Sequence, residues 1–450
     1  MNFLPVQISL SKNVEFIQAI TVDINGIARG KVYPVEKLSD LLEGKQEVVG
    51  LLEILGTKSE IPQTISELTR NHFENELLVP DQTSIRGCPW SDDSSLAMFF
   101  YDTYDRVKNV PWPFNPRLAA RKQLNELEKM GFKFFIGVEN EFRLFDKHTR
   151  KPFTQEICFD HQFTQSTTAL PYMKGLCKIL KRMNIEMDSW HLEYGLGQIE
   201  VPLKVYSGME GVDNAWFFKE LSKYVANDFG MIASYMCVPL ARDAGNGLHI
   251  NHSLWIKTNE SFTNAMWAKS DKDEMSEIAQ HWLAGLLKHS KALCAFFNPT
   301  VNCYRRILMA NWAPNKISWN YRDRTVAFRV KASSNQEKVN YIENRLPSSA
   351  CNIYLAIAGM IVAGIDGIKN KIKLPDPANI FHGEDLPRSL PEALDELSKD
   401  QVLINGMGEK FIDWFIKAKL ETDVFVLRNV DLESQTEEAL QQEFDKYFNL

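Results

Sequence analysis

The sequence lacks a long hydrophobic run: its most apolar stretch, Ile353 to Ile365, stops at Asp366 and Lys369 and is too short to cross a bilayer. It reads as a buried helix. The opening MNFLPVQISLSKN has no charged start followed by an apolar core, so no export signal is expected and a cytoplasmic location is. Seven cysteines, an odd number with no C-x-x-C, argue against a disulfide framework or a structural zinc site and suit reduced thiols. Positive charge is also in deficit. With 51 Lys and Arg against 58 Asp and Glu, a net charge of −7 offers no basic field for nucleic acid or anionic lipid. A Walker lysine loop and a kinase-type G-x-G-x-x-G are both missing, so a nucleotide site would need a different construction. Neither repeats nor low-complexity segments occur.

What is present divides in two. Residues 14 to 110 read as short strands and turns, with a turn signal at Asn25-Gly26, and predict a small β-rich unit spanning 1–110. Pro111, Pro113 and Pro116 mark its end, and 111–450 form the larger domain. A helix starts there, with Asn115 as N-cap and Pro116 at its first position, and closes at Gly131. Further helices are predicted near 168–184, 211–228, 273–294, 350–370, 405–420 and 432–448. Strands mixed with helices, without regular alternation, predict an α+β domain on a largely antiparallel sheet.

Five stretches of the larger domain put acid, His or Arg on one strand face with aliphatics behind. In GVENEFRLF, Glu139, Glu141 and Arg143 oppose Ile136, Val138, Phe142 and Leu144. One such pair of acids is consistent with a solvated face; recurrence is what argues otherwise. HLEYGLGQIEV carries Glu193 and Glu200 around two glycines. GNGLHINHSLW lines up His249, Asn251, Ser253 and Trp255, leaving His252 on the apolar side. NCYRRIL and WNYRDRTVAFRV concentrate Arg305, Arg306, Arg322, Arg324 and Arg329, whose planar donors suit carboxylate and phosphate oxygens. NYIENRL places Tyr341, Glu343 and Arg345 together. Jointly these read as a cation site beside an anion site, the pairing that ATP phosphates with divalent ions require.

In order and motif, these stretches resemble the glutamine synthetase family along almost the whole chain. The resemblance rests on E-x-E at Glu139 and Glu141, E-x-x-x-x-G-Q-x-E ending at Glu200 and G-x-G-x-H ending at His249. It continues through NCYRR, A-P with R-x-R-T beyond it, and the run from Glu343 to Ile372. It implies a β-grasp-like first unit and a catalytic domain of that family's type. About two to three Mg2+ or Mn2+ ions are implied per site. Glu141, Glu193 and Glu200 would hold one ion, and Glu139, His249 and Glu343 another. Arg306 and Arg345 would grip glutamate beside the Gly245 backbone. Arg324 and Arg329 would meet the ATP phosphates, with Asn251, Ser253 and Lys338 near the nucleotide and Glu343, Arg324 and Arg345 in the catalytic machinery.

Departures from the ammonia-using members set the expected substrate. Trp312 stands where those enzymes carry a glutamate that closes over ammonium, and would line the acceptor pocket. In place of their D-G-S-S element is LLEILG, with Glu53. With DINGIARGK, from Asp23 to Lys31, this resembles the branch of γ-glutamyl-amine ligases that includes γ-glutamylpolyamine synthetases. Ala244, Asn251 and Tyr341 depart as well, without removing a metal ligand. The expected activity is ATP-dependent joining of glutamate to an organic amine through a γ-glutamyl phosphate, in amine catabolism. Glutamine synthesis from ammonia and an inactive ring-forming homologue are the alternatives. The resemblance also implies a homo-oligomer of stacked rings, a dodecamer.

Overall fold

The computed structural model describes residues 13–64, 74–88, 95–154, 156–157, 159, 163–258, 261–267, 275–309, 313–331, 341–378 and 382–450. Two sheets organise it. The first contains β1 (Phe16–Val22), β2 (Ala28–Pro34), β3 (Glu47–Val49), β4 (Asn75–Pro80), β5 (Arg86–Gly87) and β6 (Leu96–Tyr104). Its order is β2-β1-β6-β4-β3, with β5 also on β6, and β1 runs parallel to β6. The expected Asn25-Gly26 turn joins β1 to β2. Asp23 closes it by accepting from the Asn25 and Ile27 amides, and Gly26 takes a φ of 81° that a side chain would strain.

The second sheet has ten strands: β7 (Phe132–Asp146), β8 (His191–Leu192), β9 (Gln198–Pro202), β10 (Tyr206–Ser207), β11 (Met231–Ser234), β12 (Leu248–Lys257), β13 (Phe262–Asn264), β14 (Trp319–Tyr321), β15 (Phe328–Lys331) and β16 (Tyr341–Asn344). Its order is β14-β15-β16-β12-β7-β9-β8, antiparallel except between β14 and β15, with β10 and β11 on β7 and β13 on β12. The aliphatic face of β7 packs under helices, chiefly Gly208–Asp228 and Pro116–Lys129, and against these lies the largely apolar Ile353–Lys369, which begins on an Asn352 cap and is buried from Ile353 to Gly367. The fold is α+β, as expected.

Predicted helices appear with shifted ends. The 273–294 helix is two, Glu277–Lys288 and Ser290–Phe297, divided at His289. The strand-face expectation fails for four arginines: Cys303–Met309 is a helix carrying Arg305 and Arg306, and Arg322 and Arg324 lie between β14 and β15, which leaves Arg329 on a strand. Seven residues mixing Cys, Tyr and Ile carry too little periodicity to separate the two states.

The two units meet through buried charge. Arg117, in the helix Pro116–Lys129, forks onto Asp213 with two 2.9 Å bonds and reaches Asp81 at 2.8 Å. Arg121 joins Asp81 and Asp102. Tyr354 adds its hydroxyl to Asp213 at 2.7 Å. The β1–β2 turn docks beside this: Asn352 donates to the Asp23 carbonyl, Trp216 to the Gly26 carbonyl and Lys419 to the Asn25 side chain. Near the far end of the chain, Lys446 reaches Glu60 at 2.6 Å, and Tyr447 binds Asp423, which also pairs with the buried Lys419.

Candidate active site

Strand register gathers the polar faces. On one side of β7, β12 pairs His249 with Glu139; on the other, β9 pairs Glu200 with Glu141. β16 lays Glu343 opposite Asn251, and β15 lays Arg329 opposite Glu343. Residues far apart in sequence therefore share one sheet face, because each polar side chain alternates against an apolar one that is fixed in the core.

His249 is the centre. Its Nδ1 lies 3.0 Å from Glu139 and 3.7 Å from Glu343, and its Nε2 lies 3.6 Å from Glu141. Two sets of ligand atoms fall within 4.8 Å of one another: Glu139, Glu200 and His249, and His191, Glu193 and Glu200. Thus Glu139, Glu141, Glu193, Glu200, His249 and Glu343, the expected metal ligands, converge.

The two halves of the cluster differ electrically. Glu343 is gripped by Arg345 at 2.6 Å, Arg329 at 3.0 Å and Lys331 at 3.1 Å. Burial would raise the Glu343 pKa, but His249, Arg345 and Lys331 outweigh it and hold it low. For Glu139 burial again works upward, and His249, Lys331 and Asn251 drive it well below the carboxylate range. Glu200 has no such partner. Burial, then the charges of Glu141, Glu139 and Glu193, push it up to about 10. Glu193, resisted by burial, is held low by His191 at 3.0 Å. Glu141 is steadied by neutral donors, the Gly247 amide at 2.7 Å and the Gln198 side chain at 3.1 Å.

Carboxylates and imidazoles in surplus, with Glu200 pushed toward its neutral form by the other acids and a buried Asn251 oxygen without a hydrogen-bond partner, are a donor set suited to hard divalent cations.

Of the arginines, Arg306 lies at the cluster's edge. It donates to the Leu346 and Arg345 carbonyls and packs so close to Gly245 that a side chain there would collide with it, while one at Gly247 would press on its guanidinium and on His249. Arg305 does not take part: it is buried on Glu443 at 2.6 Å and on carbonyls of the C-terminal segment. Arg324 is exposed, and among the described residues no hydrogen bond or ion pair joins it to the cluster. Ser253 is buried on β12 and accepts from Trp255. Trp312 and Lys338 lie outside the described residues. His252 is structural, as expected: it accepts from Trp282, and burial lowers its pKa to about 4. Arg143 is fully buried, holding Asp243 and the Leu196 and Ala244 carbonyls, and so braces the loops under the acids.

Three participants escaped the sequence reading: His191, Lys331 and Gly247. The first two were within reach of it: Lys331 lies two residues from Arg329 on the same face of β15, and His191 lies two residues before Glu193, which follows the end of β8.

The family model for the glutamine synthetase catalytic domain matches residues 113–436. The glutamine synthetase of Pyrococcus furiosus is 30% identical over 469 aligned residues, covering 99% of this chain and 100% of that protein. That of Methanocaldococcus jannaschii is 31% identical over 425, covering 90% and 91%. A solved structure described as apo GmaS without ligand aligns with TM-score 0.80 at 26% identity, covering 96% of this chain and 97% of that one. A GmaS/ADP complex aligns with TM-score 0.79 at 25% identity and the same coverage.

Proposed function

We propose, from the premise that this chain belongs to the glutamine synthetase family, that it joins the γ-carboxylate of glutamate to an organic amine rather than to ammonia. Membership makes it an ATP-dependent C–N ligase acting on glutamate.

The observation that carries it is the state of Glu53. This acid, standing where ammonia-using relatives have the D-G-S-S element, is sealed inside its own subunit. It accepts from Thr21 at 2.7 Å, Thr103 at 2.9 Å and Asn115 at 3.1 Å, and burial raises its pKa to about 7. It offers no exposed negative charge to hold ammonium. Trp312, an aromatic where a closing glutamate is expected, supports the same reading. The alignment with two GmaS structures supports the branch.

In this reading a γ-carboxylate oxygen of glutamate attacks the terminal phosphorus of ATP and ADP leaves. The amine nitrogen then attacks the acyl carbon, phosphate leaves and the nitrogen gives up a proton. Arg306, beside Gly245 and Gly247, and Arg345 orient glutamate; Arg324, Arg329 and Lys331 neutralise phosphate charge; Asn251, Ser253 and Lys338 border the nucleotide. Glu139, His249 and Glu343 would hold one divalent ion and Glu141, Glu193 and Glu200 another, and the ions supply positive charge where two anions must meet. Glu343 also fixes both Arg329 and Arg345, so it sets their approach. A cytoplasmic role in amine catabolism and assembly into stacked dodecameric rings belong to the same proposal.

The test is phosphate release with ATP, magnesium and glutamate, offering ammonium, alkylamines, polyamines and aromatic amines in turn. An organic amine is expected to give the highest kcat/KM. If ammonium does, the reading is wrong.

A further inference from the structure

Arg143 stands on β7 two residues beyond Glu141, and its side chain is wholly enclosed. It meets two loops. One, Tyr194 to Gly197, leads from Glu193 into β9, which carries Glu200; the other, Asp243 to Gly247, leads into β12, which carries His249.

The Arg143 guanidinium donates to the Leu196 carbonyl at 3.0 Å and to the Ala244 carbonyl. Asp243, paired with Arg143, accepts from the amides of the same two residues, Leu196 at 3.1 Å and Ala244 at 2.8 Å. One buried ion pair thus claims both the N–H and the C=O of one residue in each loop. Neither backbone can shift without breaking charge-assisted bonds that the other shares. Gly195 is admitted because it has no side chain; a Cβ there would overlap the guanidinium. Gln198 adds a second tie, accepting from the Gly195 amide at 2.9 Å while donating to the Gly245 carbonyl at 3.1 Å and to Asn246 at 3.0 Å.

The joined loops serve different ligands. The first follows Glu193, assigned to a divalent ion, and the second sets Gly245 against Arg306, assigned to glutamate. A ligand that orders one loop orders the other through the shared ion pair, so the second ligand meets a site whose conformational freedom is already gone.

We propose that Arg143 and Asp243 are positioning residues that couple the two subsites, so that a divalent ion and glutamate bind with positive cooperativity. The inference rests on the ligand assignments above and is independent of which amine is the acceptor.

Calorimetric titration with manganese, with and without saturating glutamate, tests it. In wild type glutamate is expected to tighten the manganese Kd about five-fold or more, and manganese to tighten glutamate by the same factor. In Arg143→Lys, which keeps the charge and loses the planar fork, and in Asp243→Asn, the factor is expected to fall below about two-fold. Arg117→Lys, altering a buried arginine at the junction of the two sheets, is expected to lower the melting temperature and leave the factor alone, which separates lost coupling from lost stability. Asp243→Asn carries the test if Arg143→Lys fails to fold. A factor of one in wild type, or an unchanged factor in a folded variant, overturns the inference and leaves the ligand assignments standing. A wild type that takes up neither manganese nor glutamate overturns the assignments and the inference together.

Discussion

At the junction between the two sheets, Arg117 and Arg121 meet Asp81, Asp102 and Asp213, and every one of these acids has a guanidinium against it. On the face of the ten-stranded sheet, the cations crowd onto Glu343 while Glu141, Glu193 and Glu200 are left with imidazoles and neutral donors. Both places bury carboxylates. The first closes its charge internally and works as a staple; the second is left open to charge from outside, which is how a binding site differs from a structural ion network.

Removing the outside charge is the severest way to break that contrast. Stripping divalent ions with a chelator is expected to cut ATP turnover by more than about 100-fold, restored by magnesium or manganese, while the circular dichroism spectrum stays unchanged because the junction needs no ion. Breaking the closed cluster comes next. Arg117→Ala strands Asp213, while Asp81 keeps Arg121, and is expected to cost about 3–5 kcal/mol in urea unfolding, with no demand for metal.

A finer test sets the two kinds of cluster against each other. Glu200→Gln replaces an acid that the fold keeps protonated and that ionises once the chain unfolds, so the metal-free protein is expected to gain about 0.5–2 kcal/mol at neutral pH even as it loses activity. Added manganese should raise the melting temperature of wild type but not of this variant. A variant less stable than wild type without metal would mean that the sheet-face acids are balanced after all.

The smallest effect concerns His289, a cation between two acids, Asp400 at 2.5 Å and Asp366 at 3.0 Å. Burial lowers its pKa, but these two carboxylates outweigh burial and raise it. Its contribution is complete below the unfolded value of about 6.5 and is lost as pH rises through the higher folded value. His289→Gln is therefore expected to cost on the order of 1–2 kcal/mol at pH 6, with the gap to wild type narrowing as the pH is raised.

Much of the site was legible because strand alternation exposes it. Glu139 with Glu141, His249 with Asn251, and Arg329 each stand out against aliphatic neighbours, and the α+β architecture follows from the same pattern. Register was not legible. Nothing in HLEYGLGQIEV says that Glu200 pairs with Glu141, since strand partners are chosen by long-range packing. The status of individual charges was hidden for the same reason: Arg305 and Arg306 are adjacent, yet the Glu443 carboxylate, arriving from the C-terminal helix Glu437–Tyr447, claims only Arg305.

The docking of the β1–β2 turn bears on synthesis. Asn25 is held by Lys419, and Glu60 by Lys446, so the N-terminal sheet waits for contacts made 394 and 386 residues further along the chain. On the ribosome the N-terminal sheet emerges well before Lys419 and Lys446, the side chains that clasp it. That interval is when a chaperone, or a neighbouring nascent chain, has its opening.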